Sequence, residues 1–204
     1  MPRRDVELCS GNYYHLYNRG VNKQRIFFAL ENYAFFLRRL RKYFTPDTVE
    51  IIAYCLLPNH YHLLIYLKGD DLADIMKSFS MSYAKAINER YGRTGPLFQG
   101  RFKGKLVDRD KYLLHLSRYI HLNPVMAELV QKPETWEYSS YLEYVGLRHG
   151  TLPHPEVVFS VLGTQLKTPG DSESAGVFGR AYQEFVESYC EQDLRVIRHL
   201  LLED

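Results

Sequence analysis

Two apolar runs joined by a turn dipeptide constrain the fold of this chain more than any other feature. Residues 49–57 and 60–67 are dominated by Ile, Leu, Val and Tyr, residue types that are common in strands. Pro58 and Asn59 between them suit the two central positions of a tight turn. We therefore predict a β-hairpin, and with it an antiparallel sheet.

The second strand of this hairpin carries two histidines two residues apart. Strand side chains alternate between faces, so His60 and His62 leave the same face, opposite a set of apolar residues, Tyr61, Leu63, Ile65 and Leu67. Two imidazoles on one strand face form a geometry that metal ions use. A single His-x-His triplet is weak evidence, so the assignment needs support from the rest of the chain.

The elements around the hairpin alternate in type. Residues 13–18 are typical of a strand that ends at Arg19-Gly20. Apolar residues at helical spacing predict one helix from about Tyr33 to Phe44 and a second from Asp70 or Asp71 to Gly92. Residues 110–123 predict a third helix, which we expect to break at Asn123-Pro124.

Residues 98–106 alternate in the manner of a half-buried strand. One predicted face holds Gln99, Arg101, Lys103 and Lys105, and the other holds Phe98, Phe102 and Leu106. A cationic strand face suits a phosphate backbone. The alternative is a row of lysines that protects the edge of a sheet.

The order strand, helix, strand, strand, helix, strand, helix predicts an α+β fold, a ferredoxin-like sandwich with an antiparallel sheet. We expect helices on one face and His60 and His62 on the other, open face, with the helix of residues 110–123 packed near the sheet. Residues 1–145 would form this domain and residues 146–204 a C-terminal helical extension. A stretch from Gly163 to Gly176 precedes the expected amphipathic helix, at about 178–190.

Composition indicates an ordinary globular protein. With 204 residues and 46% hydrophobic content, the chain can build a substantial core. No run approaches the ~18 apolar residues of a membrane span, and no apolar signal segment follows the first residues, so we expect a cytoplasmic location. The three cysteines lie far apart without a C-x-x-C pair, which supports neither a disulfide framework nor a cysteine zinc site.

The net charge of +2 conceals a segregation of charge. Residues 85–118 hold nine Lys or Arg against three acidic residues, whereas residues 171–204 hold eight acidic residues against three Arg. The basic segment suits a polyanion, although a solvated charged surface is an equal alternative. The 17 Tyr and 11 Phe favour stacking on single-stranded nucleic acid, but most of these rings must lie in the core.

The predicted helix of residues 110–123 offers a nucleophile. Its spacing places Tyr112, His115, Tyr119 and Asn123 on one side, and Tyr119 and Asn123 can address one point. A tyrosine beside a metal ion and a bound phosphate can attack phosphorus. A packing role is the usual one for a helical tyrosine, and Asn123 before Pro124 also suits the N-cap of a helix over residues 124–130.

Five sequence blocks together resemble the single-tyrosine transposases, and in particular the REP-associated tyrosine transposases of bacteria. The resemblance covers residues 10 to about 145 and depends on residues 14–20 (YHLYNRG), 57–64 (LPNHYHLL), 98–103 (FQGRFK), 118–124 (RYIHLNP) and 136–141 (WEYSSY). These transposases belong to the HUH endonucleases, in which U is a bulky hydrophobic residue. Tyr61 occupies that position here, a mild departure that keeps the apolar side of the strand.

The resemblance implies a role for individual residues. It implies that Tyr119 is the catalytic nucleophile and that His60, His62 and Asn123 bind Mg²⁺ or Mn²⁺. A neutral set of this kind is weak for Mg²⁺, so phosphate oxygens and water would have to complete the coordination. Candidate DNA-binding residues are Arg19, Gln99, Arg101, Lys103 and Lys105.

The implied activity is metal-dependent cleavage and rejoining of single-stranded hairpin DNA through a 5′-phosphotyrosine, by a protein of the bacterial nucleoid. One alternative is a module of the same fold that binds single-stranded nucleic acid without cutting it. Another is a metal-dependent nuclease that uses water. The sequence leaves open the DNA target and whether the protein is a monomer or a homodimer. The acidic residues 171–204 are either a mobile segment that competes with DNA or a helix docked on the domain.

Overall fold

A four-stranded antiparallel sheet organises the fold. The structure, a computed structural model, describes residues 6–166 and 175–201. The strands are β1 (Asn12–Arg19), β2 (Val49–Leu57), β3 (His60–Leu67) and β4 (Lys103–Val107), in the spatial order β2-β3-β1-β4. With a helix after β1 and another after β3, this is the order of a ferredoxin-like sandwich, so the predicted α+β fold is confirmed.

Two helices cover the first face of the sheet, as predicted. They are α1 (Leu30–Tyr43) and α2 (Leu72–Arg90), and their apolar sides meet the strands in an aromatic core. Phe36 is fully buried and packs edge-on against Phe79 and Tyr83, with ring centroids 4.9 and 5.0 Å away. Each such ring contributes roughly 1.5–3 kcal/mol through burial, so this layer is a major source of stability.

The second face is also covered, and the prediction of an open face is wrong. The helices on this side are α3 (Asp110–Met126), α5 (Glu156–Leu166), α6 (Ala175–Glu187) and α7 (Glu191–Ile197), and the one-turn helix α4 (Tyr141–Tyr144) packs beside them. The strands themselves give the reason, because Ile52, Leu57 and Leu64 make this face apolar. A strand that is apolar on both faces requires a layer on each side.

The C-terminal extension forms much of this second layer. The predicted helix over residues 178–190 is α6, which begins three residues earlier and ends at Glu187. A further helix, α7, begins after Cys190, whose N–H donates a hydrogen bond to Asp193. A short 3-10 turn, Arg198–Leu200, follows and contacts β4. Of the stretch expected from Gly163 to Gly176, residues 163–166 belong to α5 and residues 167–174 lie outside the described residues. The domain boundary at residue 145 stays a prediction.

Two element boundaries differ from the sequence predictions. β4 begins at Lys103 and not at Phe98, because Gly100 has a φ of +88° and its N–H bonds back to the Phe98 carbonyl, which turns the backbone out of the extended form. Helix α3 does not break at Asn123 but continues to Met126 with Pro124 buried in its last turn. The N-cap role of Asn123 is therefore wrong.

An ion pair between the buried Arg118 and the partly exposed Asp193 holds the acidic C-terminal segment on α3. The Arg118 side chain is 3% exposed and its Nη2 lies 2.7 Å from Oδ2 of Asp193 on α7. The guanidinium also donates to the Phe185 carbonyl and lies 4.1 Å from the centre of the Phe185 ring. Over residues 175–201 the acidic segment is thus docked on the domain, and the hypothesis of a mobile competitor for DNA is wrong for these residues.

No helix within the described ranges is both long enough and apolar enough to cross a membrane.

Candidate active site

The strand register gathers the candidate residues of three strands on one face of the sheet. Arg19 of β1 lies opposite His60, and Tyr17 lies between His62 on β3 and Lys103 on β4. His15 lies opposite Lys105. Because paired residues of neighbouring strands point the same way, these side chains share a surface, which helix α3 overlies. The candidate site lies between this surface and α3.

His62 occupies the centre of this surface and is fully buried. Its Nδ1 lies 2.9 Å from Nε2 of His15, whose ring is also fully buried. Its Nε2 is buried without a hydrogen-bond partner. A buried polar atom without a partner costs about 1–3 kcal/mol, so this nitrogen requires an explanation.

His60 lies at the start of the same strand, with its ring perpendicular to that of His62 and the centroids 5.0 Å apart. It is partly exposed, and its Nδ1 lies 2.6 Å from Oδ1 of Asn59. The Asn59 amide is oriented in turn by a 3.1 Å hydrogen bond from Nδ2 to the Lys23 carbonyl. The tight turn thus holds the ring of His60 as well as its backbone.

Helix α3 brings Tyr119 to this pair. The Tyr119 ring packs edge-on against His62, with centroids 5.6 Å apart. Asn123 is one turn further along, and its Nδ2 donates to the Tyr119 carbonyl at 2.9 Å. This bond leaves Oδ1 as the amide atom that can serve as a ligand. The structure therefore brings Tyr119 beside His62, a position that the helical spacing alone did not predict.

Burial keeps His62 and His15 neutral. It lowers the pKa of His62 well below the usual value, and the neighbouring His60 and His15 lower it further. Burial also lowers the pKa of His15 to about 4, although the Leu200 carbonyl partly opposes this effect. Neutral imidazole is the form that binds a metal ion, because the ligating nitrogen must have a lone pair.

The donor set fits a divalent cation of modest affinity. Within residues 6–166 and 175–201, no three His, Cys, Asp or Glu side chains form a group that could hold a metal ion. The candidate ligands remain the two imidazoles and the Asn123 amide oxygen that the resemblance implies, and Nε2 of His62 has no hydrogen-bond partner in the protein. Such a set needs oxygen ligands from phosphate and water. The identity of the ion stays a prediction.

The predicted DNA-binding residues fall into two groups. Arg19 and Gln99 are joined, because Nε of Arg19 donates to Oε1 of Gln99 at 2.7 Å and the Gln99 N–H donates to the Arg19 carbonyl. Lys103 and Lys105 follow on the histidine face. Arg101 instead lines a cavity of about 540 Å³ beside α2, together with Lys77 and Phe102. The prediction that Gln99, Arg101, Lys103 and Lys105 share one strand face is wrong because of the turn at Gly100.

His15 and Tyr17 are site residues that sequence reasoning did not single out. Both are buried on the histidine face, and Tyr17 Oη donates to the Leu201 carbonyl at 3.5 Å. The signal that was available is the alternation of His15, Tyr17 and Arg19 along β1, which places all three on one face.

Comparisons with known proteins agree with the fold and with the family that the sequence blocks resemble. The family model described as IS200-like transposase matches residues 9–123, more than half of the chain. A solved structure, titled as that of a REP-associated tyrosine transposase bound to a REP hairpin, superposes with a TM-score of 0.60 at 18% identity. That match covers 76% of this chain and 97% of the other and supports the fold.

A Haemophilus influenzae protein assigned by name to the REP-associated tyrosine transposases is 32% identical over 103 residues. The match covers 45% of this chain and 58% of that relative, so the chain spans less than two thirds of the relative's length. These findings confirm the resemblance seen in the sequence blocks. By the match to the family model over residues 9–123, the chain belongs to the IS200-like transposase family.

Proposed function

We propose that this protein cleaves and rejoins single-stranded hairpin DNA through a covalent bond to Tyr119. The observation that carries the proposal is the packing of the Tyr119 ring against His62, whose Nε2 is buried and has no partner in the protein. A nucleophile beside an unsatisfied metal ligand is the minimum that phosphodiester cleavage through tyrosine needs. Ring packing alone would account for the position of Tyr119, but it does not account for the partnerless Nε2 of His62.

In the proposed first step the phenolic oxygen of Tyr119 attacks the phosphorus of one phosphodiester. A bond forms between phosphorus and the tyrosine oxygen, and the bond to the 3′ oxygen breaks, so that the 3′ oxygen leaves as a hydroxyl. A Mg²⁺ or Mn²⁺ ion bound by His60, His62 and Asn123 would polarise a non-bridging oxygen of that phosphate. The packing of α3 on the sheet holds the nucleophile in position and so reduces the entropy cost of the attack.

The second proposed step reverses the first. The link between Tyr119 and the 5′ phosphate is itself a phosphodiester, so the energy of the broken bond is retained. A 3′ hydroxyl of the same or another strand attacks the phosphorus and releases the tyrosine. Strand joining therefore needs no nucleotide cofactor.

The surface around the site suits a DNA backbone. The joined pair Arg19 and Gln99 lies next to His60, and Lys103 and Lys105 continue along the edge strand β4. These side chains can neutralise phosphates on either side of the cleaved bond. The solved relative holds a REP hairpin, and we propose that a hairpin with a single-stranded flank is also the substrate of this chain.

Denaturing gel electrophoresis tests the proposal. A labelled hairpin oligonucleotide with a single-stranded flank, incubated with the protein and Mn²⁺, is expected to give a covalent protein and DNA adduct. Tyr119→Phe should abolish the adduct and keep DNA binding, because it removes one oxygen and keeps the ring. Tyr112→Phe is the matched control, since this tyrosine lies on the same side of α3 two turns earlier and contacts His199 instead. An adduct that persists in Tyr119→Phe would refute the assignment.

The same gel separates the other functions that the sequence allows. A nuclease that uses water gives cleaved DNA with a free 5′ phosphate and no adduct. A binding module gives neither cleavage nor adduct, although it retards the hairpin in a native gel. Only the proposed activity gives cleavage and adduct in equal amounts.

A further inference from the structure

A chain of hydrogen bonds connects the candidate ligand His62 to the C-terminal end of the described chain. Nδ1 of His15 lies 2.6 Å from the Leu200 carbonyl oxygen, and Nε2 of His15 lies 2.9 Å from Nδ1 of His62. His15 and His62 are both fully buried, with 0% of either residue accessible to solvent. Residues 185 positions apart in sequence thus meet directly behind the candidate metal site.

The direction of each proton in this chain follows from chemistry. A carbonyl oxygen can only accept, so Nδ1 of His15 must carry the proton of the first hydrogen bond. In a neutral imidazole the other nitrogen is then an acceptor, and Nε2 of His15 accepts from Nδ1–H of His62. By the same rule Nε2 of His62 has no proton and presents a lone pair. This is the atom that is buried without a partner.

The second candidate ligand has an equivalent support from another element. Nδ1 of His60 is 2.6 Å from Oδ1 of Asn59, and the Asn59 amide is oriented because its Nδ2 donates to the Lys23 carbonyl. Nδ1 of His60 is therefore also the donor. Two unrelated contacts thus give both histidines the same tautomer, the one in which Nε2 can bind a cation.

We propose that His15, anchored by the Leu200 carbonyl, is a positioning residue that holds His62 in the tautomer and orientation required for metal binding. The proposal rests on the metal site of the proposed function. Without the acceptor on His15, His62 can carry its proton on Nε2 instead, and that nitrogen is then no ligand. Loss of such a supporting hydrogen bond typically lowers metal affinity roughly 10- to 100-fold.

Nitrogen NMR of the unaltered protein tests the tautomer directly. Long-range proton and nitrogen correlation spectra of ¹⁵N-labelled histidines distinguish a protonated from a bare ring nitrogen, without metal or DNA. The expected result is a proton on Nδ1 and none on Nε2 for both His15 and His62. A proton on Nε2 of His62 would overturn the proposal, whatever the behaviour of any variant.

Variants at residue 15 then test the consequence for metal binding. His15→Phe fills the site but offers no acceptor, and Mn²⁺ affinity measured by calorimetry should fall roughly 10- to 100-fold. His15→Gln offers an amide oxygen to His62 and should restore most of the affinity. Leu64→Val is the matched control, because Leu64 is the buried cross-strand neighbour of His15 and takes no part in the hydrogen bonds. It should lower the melting temperature and leave Mn²⁺ affinity unchanged.

Two outcomes separate this proposal from the proposed function. If His62→Ala loses Mn²⁺ binding while His15→Phe binds as tightly as the original protein, the positioning role is wrong and the metal site stands. If the original protein shows the expected tautomers but binds no Mn²⁺, the metal site is wrong, and with it the purpose assigned to His15.

Discussion

Lowering the pH from 7.5 to 5 is expected to destabilise this protein by about 4 kcal/mol. The reason is that His15 and His121 are fully buried and that burial lowers their pKa, to about 4 for His15 and to about 3 for His121. His121 is held between two hydroxyl groups, with Nδ1 2.8 Å from Tyr182 Oη and Nε2 2.8 Å from Ser140 Oγ. Neither ring has room for the solvation that a charged imidazole needs.

The sign and the size follow from proton linkage. Above the ordinary histidine pKa of about 6.5 both the folded and the unfolded chain are neutral at these positions, and the stabilisation is fully present. As the pH falls, the unfolded chain binds protons and the folded chain does not, so each histidine costs about 1.4 kcal/mol per pH unit. At pH 5, about 1.5 units below the pKa of histidine in the unfolded chain, each of the two histidines lowers the free energy of unfolding by about 2 kcal/mol. The pKa of His62 is also lowered by burial, and it acts in the same direction.

Urea denaturation at the two pH values, followed by circular dichroism, measures this loss. A loss of about 4 kcal/mol is a large part of the 5–15 kcal/mol that domains usually have, so the midpoint should move clearly. His121→Gln keeps a donor and an acceptor but cannot titrate, and its loss between pH 7.5 and 5 should be smaller by about 2 kcal/mol. Equal free energies of unfolding at the two pH values would refute the assignment of neutral buried histidines.

Three further predictions concern the site and the extension. His62→Ala and His60→Ala should both remove Mn²⁺-dependent cleavage. Only His62→Ala should also lower the free energy of unfolding in urea, by about 2–4 kcal/mol, because it empties a fully buried position. Equal stability of the two variants would contradict the burial of His62. The double variant Lys103→Ala with Lys105→Ala should weaken single-strand binding for all sequences alike. The slope of log affinity against log salt concentration should fall in magnitude by roughly 0.7 per lost phosphate contact, and an unchanged slope would show that these lysines do not contact phosphate. Deletion of residues 175–204 should lower the melting temperature and abolish adduct formation, whereas full activity of the truncated protein would show that the extension is dispensable.

The sequence predicts the sheet well because the signals for it are local. Alternation of side chains and the turn at Pro58-Asn59 specify the hairpin, and the structure has β2 and β3 at the predicted residues. The errors occur where tertiary packing overrides a local signal. Pro124 removes one backbone hydrogen bond from α3, yet the helix continues to Met126 because it packs against the sheet and α7. The turn at Gly100 interrupts the alternating pattern of residues 98–106, and periodicity alone does not reveal that turn.

The candidate site is predictable only in part. His60 and His62 are found by strand alternation, and Tyr119 and Asn123 by helical spacing, because each pair belongs to one element. The positions of Arg19 and Lys103 beside these residues can be predicted only when the order of the strands is known. His15 is recognisable as a site residue only when the Leu200 carbonyl is seen beside it. A contact between residues so far apart in sequence leaves no local pattern.

The acidic extension packs on the domain, so the charges that are segregated along the sequence partly pair with each other in the fold. Arg118 belongs to the basic segment of the sequence, yet it is buried against Asp193 and does not face solvent. Burial alone would raise the pKa of Asp193, but hydrogen bonds from Cys190 and Arg118 lower it, so the carboxylate stays charged. Such a pair adds little net stability, because the burial of Arg118 carries a desolvation cost. Tyr119 follows Arg118 on α3, and its ring packs against His62. The extension therefore contacts the elements on two sides of the candidate site, where Asp193 pairs with Arg118 of α3 and the Leu200 carbonyl accepts a hydrogen bond from His15 of β1.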